Sequence, residues 1–531
     1  MVDSSYDAIV IGGGHNGLVT AAYLARAGWR VVVLEARDIV GGTAGTESFG
    51  GARVNLCNCD HLTFRTTPVM DELGLKDHGL AYLDIDPAQL QRTWDDEAVW
   101  AVFHDVERTL ESLALVRPQA VAGYRRYCEQ ALPAARLVLE VAAAGPPSWR
   151  SMAGVLARRA GRGAATVLSW SRRSAVGVLR EFFDDEAVIA PAVTEGPVVW
   201  GLSPTLPGTG LGALTYALRH AARLGRPAGG SGAVPDALVS AIELGGGEIR
   251  LGTRATAIRC EGDRVRGVEI ATGELLGAPV VVSATDPQRT FVSWLKNPPA
   301  QMESVIRRWR DRPHTAGYES KLDVVVDGPV RYRDLGPVEA LLDGVEPAGP
   351  TMVVAPTLAE IHRGYEMLSS GGMMTNPCFL ANVPSVLDPT VAAPGVHVLS
   401  LETLFTPYHL VGGWPTSAEP QRWLERFAGL VEPGLLDRIT AMRAVTPDRY
   451  ESDFHLPSGH AASFGGGPLA ALRSPDPELT RYHTPVKGLF LTGAATFPGA
   501  GVWGASGRNA ALAILSRHDA ARWSAGAGSL P

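Results

Sequence analysis

The sequence predicts an α/β protein: a parallel nucleotide-binding sheet with a long α+β substrate-binding part inserted into it. Three observations carry this expectation. Near the N-terminus an apolar run, Ala8-Ile9-Val10-Ile11, breaks into glycines and gives way to a helical pattern. Strand patterns resume between about residues 248 and 284, after a long interval. A last one, Leu489-Phe490-Leu491-Thr492-Gly493-Ala494, returns close to the C-terminus. The two ends of the chain must then meet in one sheet. The expected boundaries are 1–65, 226–290 and 480–531 for the discontinuous nucleotide-binding domain, and 66–225 and 291–479 for the substrate-binding regions.

The first segment reads Ile11-Gly12-Gly13-Gly14-His15-Asn16-Gly17. Leu18, Ala21, Ala22 and Ala25 then recur at the spacing of one helix face, and Gly28 ends the helix. Val31-Val32-Val33-Leu34 is a second buried strand, closed by Glu35. Strand, glycine turn, helix, strand and acid in this order make a βαβ dinucleotide fingerprint. Gly12 allows the tight turn, Gly14 lets a pyrophosphate approach the backbone, and Gly17 lets helix and strand pack closely. The helix N-terminus, which carries His15 and Asn16, presents free N–H groups to the phosphates. Glu35 accepts from ribose hydroxyls.

Composition narrows the class. With 531 residues the chain exceeds one ordinary core. A formal net charge of -7 argues against nucleic acid as a partner. Cys57, Cys59, Cys128, Cys260 and Cys378 form an odd set without framework spacing, which points to a reducing cytoplasm. The polar start Met1-Val2-Asp3-Ser4-Ser5 does not fit a signal peptide, and no apolar stretch has the length of a transmembrane helix.

After Glu35-Ala36-Arg37 comes Gly41-Gly42-Thr43. An acid followed by such a Gly-Gly resembles the usual continuation in FAD-dependent oxidoreductases of the glutathione-reductase type, where it approaches the far phosphate or the ribityl chain. Ala52 to Leu62 alternates like a strand, with Cys57, Cys59 and His61 on one face and Asn58 and Asp60 on the other. No fourth ligand stands nearby, so no metal is expected. In flavoenzymes of this type the matching strand passes beside the isoalloxazine ring. Cys57, Asp60 and His61 are therefore the catalytic candidates. The alternatives are a covalent flavin link, a Cys57–Cys59 redox pair, or a purely pocket-shaping role.

Residues from about 65 to 225 read as helical and irregular. Between Ser148 and Arg180 stand Arg150, Arg158, Arg159, Arg162, Arg172, Arg173 and Arg180, with apolar residues between them and no acid. The favoured reading is a solvated helix pair; the alternative is a basic amphipathic surface in peripheral contact with anionic membrane. A helix is expected from near Val234, then a strand at Glu248–Leu251, a hairpin at Ala255–Cys260 and Arg264–Ile270, and a buried strand at Val280–Ala284. Residues 290–440 contain strand candidates at Leu322–Val326, Thr351–Val354, Cys378–Asn382 and Val396–Leu401, and a helix carrying Trp423 and Phe427. The final strand ends at Gly493-Ala494, where it can reach pyrophosphate and ribityl. Gly501-Val502-Trp503 then leads to a helix expected at Ala510–Ser516, whose N-terminus can face the flavin N1/C2=O edge.

These motifs, with Gly229-Gly230-Ser231-Gly232, Val282-Ser283-Ala284-Thr285-Asp286-Pro287 and Gly493 through Asn509, resemble the phytoene desaturase-like FAD oxidoreductases end to end. Pro384 to Pro389 and Thr406-Pro407-Tyr408 are similar to the branch of pyridine nucleotide-disulfide oxidoreductase domain-containing protein 2. The resemblance implies one FAD, with Ala255 near the adenine and Ser283-Ala284 near the dinucleotide. It also implies dehydrogenation, often desaturation, of a hydrophobic small molecule by hydride transfer to flavin N5, with oxygen, a quinone or a redox protein as electron acceptor. The branch name promises a redox disulfide, but the usual spaced cysteine pair is missing, and no second fingerprint supports NAD(P). Base candidates are Asp60, His61, His455 and His460. The alternatives are a flavin amine or amino-acid oxidase, with Trp503 in an aromatic cage, and a flavin-binding partner protein without turnover.

Overall fold

The computed structural model describes residues 6–57, 60–461 and 463–526, with 519–526 by backbone alone. Its first sheet is built from β1 (Ala8–Ile11), β2 (Val31–Leu34) and three distant strands. The order is Leu489–Leu491, Val280–Ser283, β1, β2, Glu248–Arg250, and every pairing is parallel. A parallel sheet is covered on both faces, which is why its strands read as continuous apolar runs. Ala8, Val10, Val31 and Val33 pack under helix α1 (His15–Arg26) and the helices Ala233–Leu244 and Ala505–Gly526. Ile9, Ile11, Val32 and Leu34 pack on the other side, against Ile258 and Val268 of a hairpin sheet.

A second sheet of seven strands lies apart from the first in sequence. Its order is Ile439–Val445, Glu319–Asp327, Val396–Leu404, Cys378–Asn382, Thr351–Ala355, Gln89–Thr93, Trp100–Val102. All pairings are antiparallel except Thr351–Ala355 with Gln89–Thr93. One face is apolar: Leu322, Val324, Leu399 and Leu401 pack against Trp423 and Phe427 of the helix Glu419–Ala428. The other face is mixed and buried, with a polar strip between apolar patches at Val353, Ala355 and Leu380 and at Val325 and Val398. Arg443 stands opposite Asp323, Asp323 opposite Ser400, Ser400 opposite Asn382, and Asn382 donates to Thr351. A helical layer around Tyr124, Tyr127, Trp170 and Tyr216 covers the end near Gln89 and Trp100.

The structure corrects several sequence expectations. The region read as helical and irregular supplies three strands, the short Tyr82–Leu83 and, in the second sheet, Gln89–Thr93 and Trp100–Val102. Ile439–Val445 is a further strand that the sequence did not announce. The alternation from Ala52 ends at Asn55, in β4 (Ala52–Asn55), which pairs with β3 (Thr46–Phe49). The Leu56 N–H turns back to the Gly45 carbonyl, and His61 rejoins the structure in a lone bridge to Gly225. Asn58 and Cys59 lie outside the described residues. The C-terminal helix begins at Ala505, five residues before the expected start at Ala510, because Gly507 lets it cross α1 closely: a Cβ there would stand 2.3 Å from the Asn16 carbonyl oxygen.

Candidate active site

The strand ends of the parallel sheet open onto a cleft lined by Gly12, Gly14, Glu35, Ala36, Arg37, Gly42, Ala255, Ala284 and Ala494. The fingerprint glycines separate by role. Gly12 has φ +102°, and a Cβ on Gly17 would lie 2.2 Å from the Gly12 carbonyl oxygen, so both serve the turn itself. Gly14 has φ −67° and nothing within 4 Å of its Cβ position. The fold has no use for a glycine there, but a ligand lying against the backbone does. Glu35, nearly buried, accepts from the Gly13 N–H at 2.7 Å and the Arg37 N–H at 2.9 Å, which fixes its carboxylate at the cleft wall.

Gly41 donates to the Gly13 carbonyl at 2.8 Å and so ties the second glycine pair to the first turn. Gly42 opens the short turn Gly42–Ala44, which contains Thr43. One guanidinium nitrogen of Arg37, Nη1, is buried without a hydrogen-bond partner beside the cleft. An open glycine, a helix N-terminus, a fixed carboxylate and an unused cationic donor suit the ADP half of FAD.

The far end of the cradle comes from the C-terminus. Gly493 (φ +106°) lies against Ala284, with its Cβ position 3.3 Å from the Ala284 carbonyl oxygen. Ser283 is buried, and its hydroxyl bonds to Thr290 at 2.8 Å and Thr285 at 3.0 Å, so it braces the strand end from within. Thr63 donates to the Val502 carbonyl at 3.0 Å, and the Trp503 indole N–H donates to the Ala500 carbonyl, which folds the ring over Gly501. Asn16 holds both ends together: its side chain meets His15 at 3.0 Å and accepts from the Gly507 N–H at 3.3 Å. Burial pushes the His15 imidazole down to about 4, so it stays neutral.

The catalytic candidates fare differently. Asp60 is an ion-pair partner. It meets Arg226 at 2.6 Å and accepts from Thr351 at 2.6 Å, which ties the chain after β4 to the second sheet. Burial works against its charge, but Arg226 overrides this and holds the carboxyl below its usual range. His61 is 1% exposed, with one ring nitrogen on the Tyr82 hydroxyl at 2.9 Å and the other on Ser231 at 3.1 Å. Burial pushes it down to about 3. Of the four base candidates, Asp60 and His61 are thus committed to partners within the fold. Cys57 is half-buried near Tyr318 and Tyr450. His455 (φ +58°) lines the cleft beside Glu35, on the nucleotide side. The His460 ring centroid is 5.3 Å from that of Tyr318, and burial lowers its pKa to about 4.

Sequence reading missed the polar face of the second sheet. There the buried Glu195 and Glu402 and the half-buried Glu319 are acids whose pKa values desolvation raises. Each sits in a segment without a motif, and only strand register brings Glu319 and Glu402 together.

A glycine-turn nucleotide cleft at parallel strand ends, completed from the far terminus, is the architecture of an FAD-dependent oxidoreductase. Residues 17–316 match the family described as flavin containing amine oxidoreductase, and the chain belongs to that family. Its cofactor is FAD. The chain is 28% identical to mouse pyridine nucleotide-disulfide oxidoreductase domain-containing protein 2 over 560 residues, 96% of this chain and 93% of that protein. It is 27% identical over 523 residues to the neurosporene-forming phytoene desaturase of Cereibacter sphaeroides, 96% of this chain and 94% of that one. The resemblance to phytoene desaturase-like proteins therefore holds, at modest identity. Cyclohexylamine oxidase from Brevibacterium oxydans shares the fold, with a TM-score of 0.58 at 16% identity over 97% of this chain and 99% of that one.

Proposed function

We propose that this flavoprotein dehydrogenates a hydrophobic small molecule, introducing a double bond. One observation carries the reading. Trp200, Leu202 and Leu206 are 43, 43 and 40% exposed in a single turn-rich segment, and Trp200 Cη2 comes within 3.9 Å of the Gly501 Cβ position. An apolar lip thus leads from solvent to the C-terminal cofactor segment. Bound FAD supplies a two-electron acceptor. The chain supplies the cradle, excludes water and holds the substrate C–H in line. Oxygen, a quinone or a redox protein then takes the electrons.

The test is anaerobic bleaching of the yellow protein by phytoene in detergent, by cyclohexylamine and by NADPH. Bleaching by phytoene or another apolar alkene is expected. Bleaching by the amine, with peroxide formed in air, would instead favour an amine oxidase. The observation on that side is that Trp200 and Trp503 flank Gly501 as two aromatic walls.

We place the protein in the cytoplasm, in peripheral contact with an anionic membrane. Arg150, Arg158, Arg162 and Arg172 are exposed beside Trp149 (61% exposed) and Leu168 (43%), whereas Arg159 and Arg173 pair with Glu140 and Glu181. Among the described residues no helix is long and apolar enough to cross a membrane. Co-sedimentation with phosphatidylserine vesicles, but not with phosphatidylcholine vesicles, is the expected result.

A further inference from the structure

The strands Glu319–Asp327 and Val396–Leu404 pair antiparallel, with Lys321 directly opposite Glu402. Glu319, two residues from Lys321, shares its face and stands diagonal to Glu402, a separation of roughly 7–8 Å between Cα atoms. Lys321 is the cross-strand partner that Glu402 would be expected to have. Its ammonium goes elsewhere, to the Asn55 carbonyl at 2.7 Å and to Asp323. Among the described residues no hydrogen bond or ion pair engages Glu402, which is buried at 7% exposure, or the half-buried Glu319. A buried acid without a partner destabilises a fold, so its presence calls for a role outside folding.

Location supplies the role. Tyr318, next to Glu319, donates to the Val199 carbonyl at 2.9 Å, and its ring lies under Gly201, whose Cβ position is 2.3 Å from the ring. Both acids lie close enough to Tyr318 to act on its hydroxyl, so they stand near the turn that carries the apolar lip, on the face from which Lys321 reaches the end of β4. We propose, resting on the dehydrogenation reading above, that Glu319 and Glu402 act as a pair to accept the proton the substrate loses. Bound FAD would supply the acceptor for the hydride that one substrate carbon loses, and the ionised member of the pair takes the proton from the neighbouring carbon. The electrons of that second C–H bond become the new π bond. The proton leaves to water when the product departs.

The surroundings suit the task. Burial raises both acids, and each repels the other's charge, so the pair shares a proton and keeps one carboxylate available near neutrality. The groups that face them are Asp60, which repels, Lys321, which attracts, and Asp323, Cys57, Tyr318 and Tyr450.

The test uses the FAD-loaded protein and the variants Glu402→Gln and Glu319→Gln, with the visible flavin spectrum as the check on folding. In the resting wild type, infrared spectra should show a protonated carboxyl band that fades as pH rises through neutrality and weakens in either variant. Anaerobic bleaching by phytoene, or by whichever apolar alkene bleaches the wild type, should accelerate with pH over the same range. It should fall roughly 10²-fold or more in Glu402→Gln, with alkene binding, read as a flavin spectral shift, unchanged. A carboxyl band unchanged in both variants, or equal bleaching rates in wild type and both variants, would overturn the pair's role and leave the dehydrogenation reading standing. If no apolar alkene bleaches the wild type, that reading fails and takes the proton-accepting role with it.

Discussion

The two sheets solve different problems. The five-stranded sheet is apolar on both faces, and it binds with what lies at its strand ends: backbone N–H groups, glycine turns and the fixed carboxylate of Glu35. The seven-stranded sheet is apolar on one face and mixed on the other. Its other face buries Asp323, Asn382, Thr351, Gln89 and Glu402, so whatever meets that face meets side chains. A cofactor shared by many enzymes is held by backbone shape, and a particular substrate is met by a particular set of side chains assembled from distant segments.

The comparison breaks most visibly in the first sheet, where glycines of one motif have opposite tolerances. Gly17→Val drives a side chain into the Gly12 carbonyl and should cost over about 4 kcal/mol, seen as insoluble protein or a collapsed melting temperature. Gly14→Val has open space and an ordinary backbone conformation, so its FAD-free stability should change by less than about 1 kcal/mol. Its FAD content on purification should nevertheless drop to none. Full occupancy in Gly14→Val would show that the phosphates lie elsewhere.

The joint between the sheets comes next. Asp60→Ala takes from Arg226, which is 4% exposed, the carboxylate that balances its charge. The expected loss is about 3–5 kcal/mol in urea unfolding at neutral pH. Because the folded state lowers the pKa of Asp60, the stability it contributes is present above its unfolded pKa and is lost as pH falls through its folded value. His61→Ala removes a hydrogen-bond partner from the Tyr82 hydroxyl and from Ser231 and should cost about 1–3 kcal/mol. Since burial holds His61 at about 3, the wild-type rate profile should show no step from it between pH 5 and 8. A step that vanishes in His61→Ala would restore it as a catalytic base.

What the sequence disclosed follows the same division. The glycine turn, Glu35 and the valine strands were legible because their spacing is local and each residue type has one physical use there. The Ala52–Leu62 alternation misled beyond Asn55, since the chain leaves the strand to close onto Gly45 and Gly225. Gln89-Leu90-Gln91-Arg92-Thr93 gave no strand signal because its polar positions, which pattern reading assigns to solvent, are buried against Glu195. Glu319 and Glu402 carry no motif, and they meet through a register that no single segment encodes.

Glu195 tests whether that polar face truly buries acids in their neutral form. It accepts from Gln89, from Gln91 at 3.3 Å and from Arg219 at 3.2 Å. Burial raises its pKa from 4.5 to about 7, against the pull of Arg219. Between those values the folded protein retains a proton that the unfolded chain releases, so the contribution of Glu195 to stability is complete below 4.5 and declines as pH rises to about 7. Glu195→Gln removes that titration and leaves every other group in place. Wild type minus variant should therefore lose about 1–3 kcal/mol of unfolding free energy across this window, measured as a difference in slopes and independent of the constant cost of the substitution itself. Parallel slopes would mean that Glu195 is ionised throughout. The Arg219 pairing would then dominate, and this end of the second sheet would be a set of satisfied charges like the joint at Asp60.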